Sequence, residues 1–299
     1  MVMTLLLASS GIIANAAIDI YGLFREPAHR SLPIYGDERL AKYLLSTHYV
    51  QANFDGALLG TSVSANWDTG RMQTLRLYNE SLDGGNLVEE SAILDQLLLH
   101  PTLKAVVLVV HPYITASHDF RTVPLSPREV WGALGSKNLL DAYKSLIKIG
   151  LGREPQLFDA AGSETYGEGT KTLNEHLRFM MRPGAEFEID PIALSAYRDV
   201  VAKLHANRIP IAFVIPPTSG PIFASKRAEL EHYAATILAL RLPDDPVLDF
   251  NSDEFEPLRR DLGQFSDGVH LRDSAAARLT ALIDDHMRVW IAAGWLNHK

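Results

Sequence analysis

The sequence contains no cysteine, which removes disulfides, thiolate metal sites and cysteine nucleophiles together and fits either a reducing or an oxidising compartment. It also lacks a run of basic residues: 28 Lys+Arg stand against 36 Asp+Glu, for a net charge of −8. A nucleic-acid partner needs a clustered positive face, so none is expected. Neither GxGxxG nor GxxxxGK[ST] occurs, and Gly84-Gly85-Asn86 alone is no phosphate loop. HExxH is absent too, and His111, His118 and Asp119 lack a recognisable ligand spacing. No cofactor and no metal are therefore expected. Charge is missing altogether from Met1 to Ile18.

That uncharged opening is rich in Leu, Ile and Ala, and Ile20 to Phe24 extends it beyond Asp19. A spanning helix needs about 20 apolar residues, so 1–24 reads as a hydrophobic anchor or signal segment. Ala14-Asn15-Ala16 has the small-x-small form of a cleavage site, although no Lys or Arg precedes the apolar run. A helix buried in the fold is the third reading. The rest of the 299-residue chain, 47% hydrophobic overall, is long enough to bury one full core, and 25–299 is expected to form a single domain.

Within it, Phe54 to Gly60 is a short apolar run ending in glycine and followed by the helix starters Thr61-Ser62-Val63-Ser64. A second strand fits Thr74 to Tyr78, then a glycine-containing loop, then a helix over Leu87 to His100. Lys104 to Val110 is β-branched and apolar on both faces, the mark of a central parallel strand covered on both sides. From about 112 to 190 the pattern weakens, with one modest helix near Asn138 to Ile149, as expected of a long lid insertion. Alternation resumes with a helix at Pro191 to Asn207, a strand at Pro210 to Ile215, a helix at Phe223 to Leu240, a strand at Pro246 to Phe250 and a last helix from Asp273 to Ala293. The fold class predicted is α/β: a three-layer α/β/α, flavodoxin-like five-stranded parallel sheet, with ligands beyond the carboxyl ends of its strands.

Gly60-Thr61-Ser62 occupies the first strand-to-helix turn, where free N–H groups of a helix N-terminus favour negative charge. Alone, Ser62 would be read as a helix cap. Near the other end, Asp267 and His270 lie three residues apart in one loop between the last strand and the last helix. A carboxylate so placed can fix the imidazole tautomer while the other ring nitrogen faces a serine hydroxyl. At matching sheet ends, Ser62, Asp267 and His270 become a candidate catalytic set. Trp67, Tyr113, Trp131 and Tyr166 are candidates for either a carbohydrate cleft or ordinary packing.

The Gly-x-Ser block after the first strand and the Asp-x-x-His block before the last helix together resemble the SGNH (GDSL-like) hydrolase superfamily. More closely, the chain resembles bacterial envelope members related to alginate and teichoic-acid modifying proteins. Asp19-Ile20-Tyr21-Gly22-Leu23-Phe24 echoes their Asp-Pro-Tyr-Gly-like segment after an N-terminal anchor, Asn79-Glu80-Ser81-Leu82-Asp83-Gly84 their Asn-x-Ser-x-x-Gly block, and Ile215-Pro216-Pro217 the end of their fourth strand. The resemblance implies an SGNH hydrolase fold in which Ser62 is the nucleophile, His270 the general base and then acid, and Asp267 its orienting partner. It also implies that Gly84 and Ser62 offer backbone N–H groups to the oxyanion. Where other members have Gly-x-Asn, this chain has Val110-His111-Pro112. Loss of one such oxyanion donor costs on the order of 10²–10³ in rate, and Asn79, Asn86 and His111 are the candidates to replace it.

The function so implied is an acyl-ester hydrolase or O-acyltransferase, O-acetyl in the first instance, acting on an envelope polysaccharide or other glycan. The expected partners are an acylated glycan or small acyl ester, polysaccharide-assembly proteins of the envelope, and the membrane through the N-terminal segment. The expected location is the bacterial cell envelope, periplasmic or extracytoplasmic, whether anchored or secreted. A non-catalytic scaffold that keeps this fold and binds a glycan or partner during polymer export is the alternative.

Overall fold

The computed structural model describes residues 2–99, 102–116, 125–169, 173–182, 187 and 189–297, with side chains from residue 9 onward. In chain order the elements are α1 (Val2–Ile18), α2 (Glu38–Asn53), β1 (Gly56–Leu59), α3 (Ser62–Ala65), β2 (Leu77–Asn79), α4 (Leu87–Leu97), β3 (Ala105–Val109), α5 (Glu129–Gly132), α6 (Lys137–Gly150), α7 (Leu173–Met180), α8 (Pro191–Ala206), β4 (Ile211–Ile215), α9 (Gly220–Leu238), β5 (Val247–Asp249), α10 (Glu256–Arg260) and α11 (Asp273–Ala292). The five strands form one parallel sheet in the order β2-β1-β3-β4-β5, so the chain reverses its direction of travel between β1 and β3. This is the predicted three-layer, flavodoxin-like class.

Strand side chains alternate between two cores, as a period of two dictates. Val106, Leu108, Ile211 and Phe213 face a core with residues of α2, α4 and α8, whereas Val107, Val109, Ala212 and Val214 face one with residues of α11 and the single turn α3. Helices on both faces explain why β3 and β4 are apolar throughout.

The second strand differs from the prediction. The backbone N–H groups of Gln73 and Thr74 donate to the Asp284 carboxylate on α11, at 3.1 and 2.9 Å, which leaves only Leu77–Asn79 to pair with β1. Helix α2 was not anticipated: Lys42, Ser46 and Thr47 are buried on it and break its apolar period, while Asp37 caps it by accepting from Leu40 N. The 112–190 stretch is more ordered than its composition implied, for it contains α5, α6 and α7. Its segment around Gly162 lies directly on β2: Asn79 N donates to Ala161 O at 2.7 Å, and a Cβ on Gly162 (φ +79°) would come within 2.5 Å of Asn79 O.

Helix α1 leads into a compact turn. Asp19, at φ +50°, accepts from Leu23 N and Arg25 N and pairs with Arg30 at 2.9 Å, so the base of α1 is fastened to the domain. Among the described residues no helix is long and apolar enough to cross a membrane.

Candidate active site

The turn between β1 and α3 is fixed from both sides. A Cβ at Gly60 would lie 2.2 Å from Ser64 Oγ and 3.0 Å from Val109 Cβ, so only glycine fits where the strand ends. Thr61 then bridges to Leu82, tying this turn to the loop that follows β2. Ser62 is the first residue of α3. Asn79 Nδ2 lies 2.8, 3.1 and 3.1 Å from the carbonyls of Ser64, Ala65 and Trp67, and the Tyr166 hydroxyl donates to Ser62 O at 2.7 Å.

The second half of the site is the 265–271 loop, closed by an antiparallel bridge between Phe265 and Leu271. Gly268 turns it at φ +107°, where a Cβ would meet Ile222 Cδ1 and Leu177 Cδ2 at 2.9 Å. Asp267 Oδ1 accepts from the backbone N–H of Val269 (3.1 Å) and of His270 (2.9 Å). Its Oδ2 lies 2.7 Å from His270 Nδ1, and His270 Nε2 lies 2.8 Å from Ser62 Oγ. Because a carboxylate only accepts, Nδ1 bears the imidazole proton and Nε2 presents its lone pair to the serine hydroxyl. The structure thus brings Ser62, His270 and Asp267 into one hydrogen-bonded chain.

A second histidine reaches the same carboxylate. His176 on α7 places Nδ1 2.7 Å from Asp267 O and 3.4 Å from Oδ1. Burial alone would raise the Asp267 carboxyl, but the hydrogen bonds from His176 and His270 outweigh it and hold this group far below the usual carboxylate range. His176 is in turn pushed up, first by its bond to Asp267.

Ser62 opens onto a pocket of about 330 Å³ lined by Thr61, Asp83, Gly84, Gly85, Asn86 and Tyr113. Gly84 is left-handed (φ +57°), and among the described residues its N–H makes no hydrogen bond. Asn86 borders the same pocket, but its Oδ1 caps α4 by accepting from Val88 N and Glu89 N. Asn79 does not fill the vacant donor position. It is fully buried, its amide donates to the α3 carbonyls, and its Oδ1 accepts from Ser81 N.

His111 is buried at the end of β3 and stands edge-on to Tyr113. Burial, then the nearby His270, pushes it down to about 3, so the ring is neutral, and its Nδ1 accepts from Tyr113 N at 3.3 Å. It borders a neighbouring cavity of about 290 Å³ at the ends of β3, β4 and β5, with Thr218, Asp249 and Asn251. His118 and Asp119 lie outside the described residues; among the others no His, Cys, Asp and Glu cluster could hold a metal.

Of the aromatic residues weighed for a cleft, Tyr113 lines the pocket, while Trp67 is core and Trp131 is exposed on α5. Tyr166 has a positioning place: its loop docks on the start of α11, where Tyr166 N and Gly167 N donate to Asp273 at 3.0 and 2.7 Å. His176 and Asp273 were not anticipated. Neither belongs to a short motif: His176 reaches Asp267 across 91 residues of chain, and Asp273 meets Tyr166 across 107.

The chain matches no protein-family model, and no curated protein matches it. Among solved structures it is similar to one from Streptococcus pneumonia, provisionally described as a platelet activating factor, with 11% identity over 83% of this chain and 91% of that one and a TM-score of 0.46.

Proposed function

We propose that the protein is a serine-dependent acyl-ester enzyme of the SGNH type. The observation that carries this reading is the continuous Ser62–His270–Asp267 chain, with links of 2.8 and 2.7 Å, opening onto a pocket beyond the carboxyl end of β1. Ser62 Oγ attacks the acyl carbonyl as His270 Nε2 takes its proton, and ionised Asp267 stabilises the imidazolium that forms. The N–H of Gly84 and that of Ser62, at the amino end of α3, receive the oxyanion. His270 then returns the proton to the departing alkoxide. Water or a sugar hydroxyl, deprotonated by the same imidazole, releases the acyl group from Ser62, which gives hydrolysis in one case and transfer in the other.

The substrate class is an O-acylated, principally O-acetylated, glycan of the bacterial envelope, and the uncharged 1–18 segment supports an extracytoplasmic, membrane-associated location. The replacement of the expected third-block asparagine by buried His111 favours a second reading, a glycan-binding scaffold with little turnover. A fluorophosphonate probe separates the two. The enzyme reading expects covalent labelling of the folded protein that disappears in Ser62→Ala; a folded wild type that stays unlabelled supports the scaffold.

A further inference from the structure

Helix α6 is strongly amphipathic, yet its apolar side chains are not all turned inward. Leu139 and Ala142 are buried, while Leu140 and Ile147 are each 60% exposed and Leu151, just past the helix end, is 62% exposed. Positions 140, 147 and 151 follow the i, i+7, i+11 spacing of a single helix face, so these residues form one outward ridge. Trp131 on α5, at 74% exposure, stands close by in the chain. Exposed apolar side chains this concentrated mark an interaction surface.

Two observations identify the occupant. The first is continuity with α1. Asn15 Nδ2 donates to Leu134 O at 2.7 Å, and Tyr143 of α6 donates to Asn15 Oδ1 at 3.0 Å, so the uncharged helix lies alongside the α5–α6 corner. Ile12 and Ile18 flank the Asn15 contact line and Ile13 points away from it; all three are exposed. The second is charge. The 128–154 stretch that carries the ridge contains Arg128, Lys137, Lys144, Lys148 and Arg153 against Glu129, Asp141 and Glu154, in a chain whose net charge is −8. Lys144 pairs with Asp141 and Lys148 with Glu154, while among the described residues Arg128, Lys137 and Arg153 make no ion pair.

From this we infer that the α5–α6 face is a membrane-docking surface that rests on an anionic lipid bilayer beside α1, with Trp131, Leu140, Ile147 and Leu151 in the interfacial zone and Lys137, Lys144 and Lys148 at the headgroups. An apolar ridge with lysines along its flank and a tryptophan at its end is the composition that the bilayer interface selects. Because Asn15 and Asp19 hold α1 to the domain, the α5–α6 face is carried to the same surface as α1, and the two together fix the face the domain turns to the lipid.

The test uses the full chain and vesicles of phosphatidylcholine and phosphatidylglycerol with acyl chains brominated near the headgroup. The quenched part of the tryptophan emission is expected to vanish in Trp131→Phe, since Trp67 and Trp295 are buried and half-buried Trp290 lies on α11, packed against the core on the opposite side of the sheet from α5 and α6. Replacing Leu140, Ile147 and Leu151 together by Ser is expected to weaken vesicle binding about tenfold or more. Circular dichroism and fluorophosphonate labelling of that variant should stay unchanged, which separates loss of docking from loss of the site. Vesicle-bound protein with unquenched Trp131 would show that α1 binds alone and overturn the inference, as would failure to bind anionic vesicles. Protection of Trp131 that rises with protein concentration in the absence of lipid would assign the face to a second copy instead.

Discussion

Replacing Asp267 by Asn tests the proposed chemistry through the imidazole tautomer. In the wild type Oδ1 is committed to two backbone donors, Val269 N and His270 N, while Oδ2 faces His270 Nδ1. An asparagine has one oxygen, and the two N–H groups demand it, so its amide nitrogen must take the Oδ2 position. That NH₂ can only donate, and His270 Nδ1 must therefore become the acceptor. The ring proton moves to Nε2, where it points at Ser62 Oγ and leaves no lone pair to accept the serine proton. The rate of fluorophosphonate labelling should fall by about 10³–10⁴, or about 4–5.5 kcal/mol of transition-state stabilisation, with the fold intact. Stopped-time labelling gives the rate, and ¹⁵N shifts of the His270 ring report which nitrogen carries hydrogen. If Asp267→Asn keeps more than about a tenth of the wild-type rate while its ring proton sits on Nε2, the base role of His270 is wrong.

Four further outcomes follow from contacts around this site. His176→Ala should slow labelling about tenfold by removing a donor from Asp267, while His176→Asn, whose amide nitrogen can occupy the place of Nδ1, should recover most of it. Tyr166→Phe leaves the Ser62 carbonyl without its donor and should lower the labelling rate several-fold while costing only about 1 kcal/mol of stability, a comparison made directly by calorimetry and probe kinetics. Asn79→Ala leaves the α3 carbonyls without their shared donor in a dry interior and should cost about 2–4 kcal/mol in urea unfolding. Glu80 is buried and pushed up to about 8, chiefly by loss of solvent, with Ser46 and Lys42 opposing; its contribution to stability is complete below about pH 4.5 and is lost as pH rises through 8. Unfolding free energy should decline by up to about 5 kcal/mol over that window from this group, and Glu80→Gln should flatten the decline.

The sheet was legible because its physics is local in the chain. KAVVLVV and the run at 210–215 are apolar on both faces, which only a strand between two helical layers permits, and both lie where they were read, as β3 and β4. The boundaries that moved are those decided by distant partners. Asp284 captures the backbone at 73 and 74, and buried Lys42, lying 3.1 Å from Glu38, hides the period of α2. The same division applies to the site. Ser62, Asp267 and His270 occur in short blocks whose order along the sheet announces them, whereas Asn79, which looks like part of a block, spends its amide on the neighbouring helix.

The least legible part of the site is also what links the two halves of the molecule. Tyr166 and His176 both come from the long connection between β3 and α8, one holding the Ser62 carbonyl and the other the Asp267 carbonyl and carboxylate. Each end of the hydrogen-bonded chain is thus braced by this connection, and Asp267 stays ionised partly because α7 brings His176 to it. A segment that only covered the pocket would leave those distances unaltered when removed. One that braces both ends makes serine activation depend on its docking, through the contacts of 166–168 with Asp273 and Ser274 at the start of α11. The β3–α8 connection therefore belongs to the catalytic framework under the proposed chemistry, and changes at Asp273 should slow labelling of Ser62 although Asp273 touches neither Ser62, His270 nor Asp267.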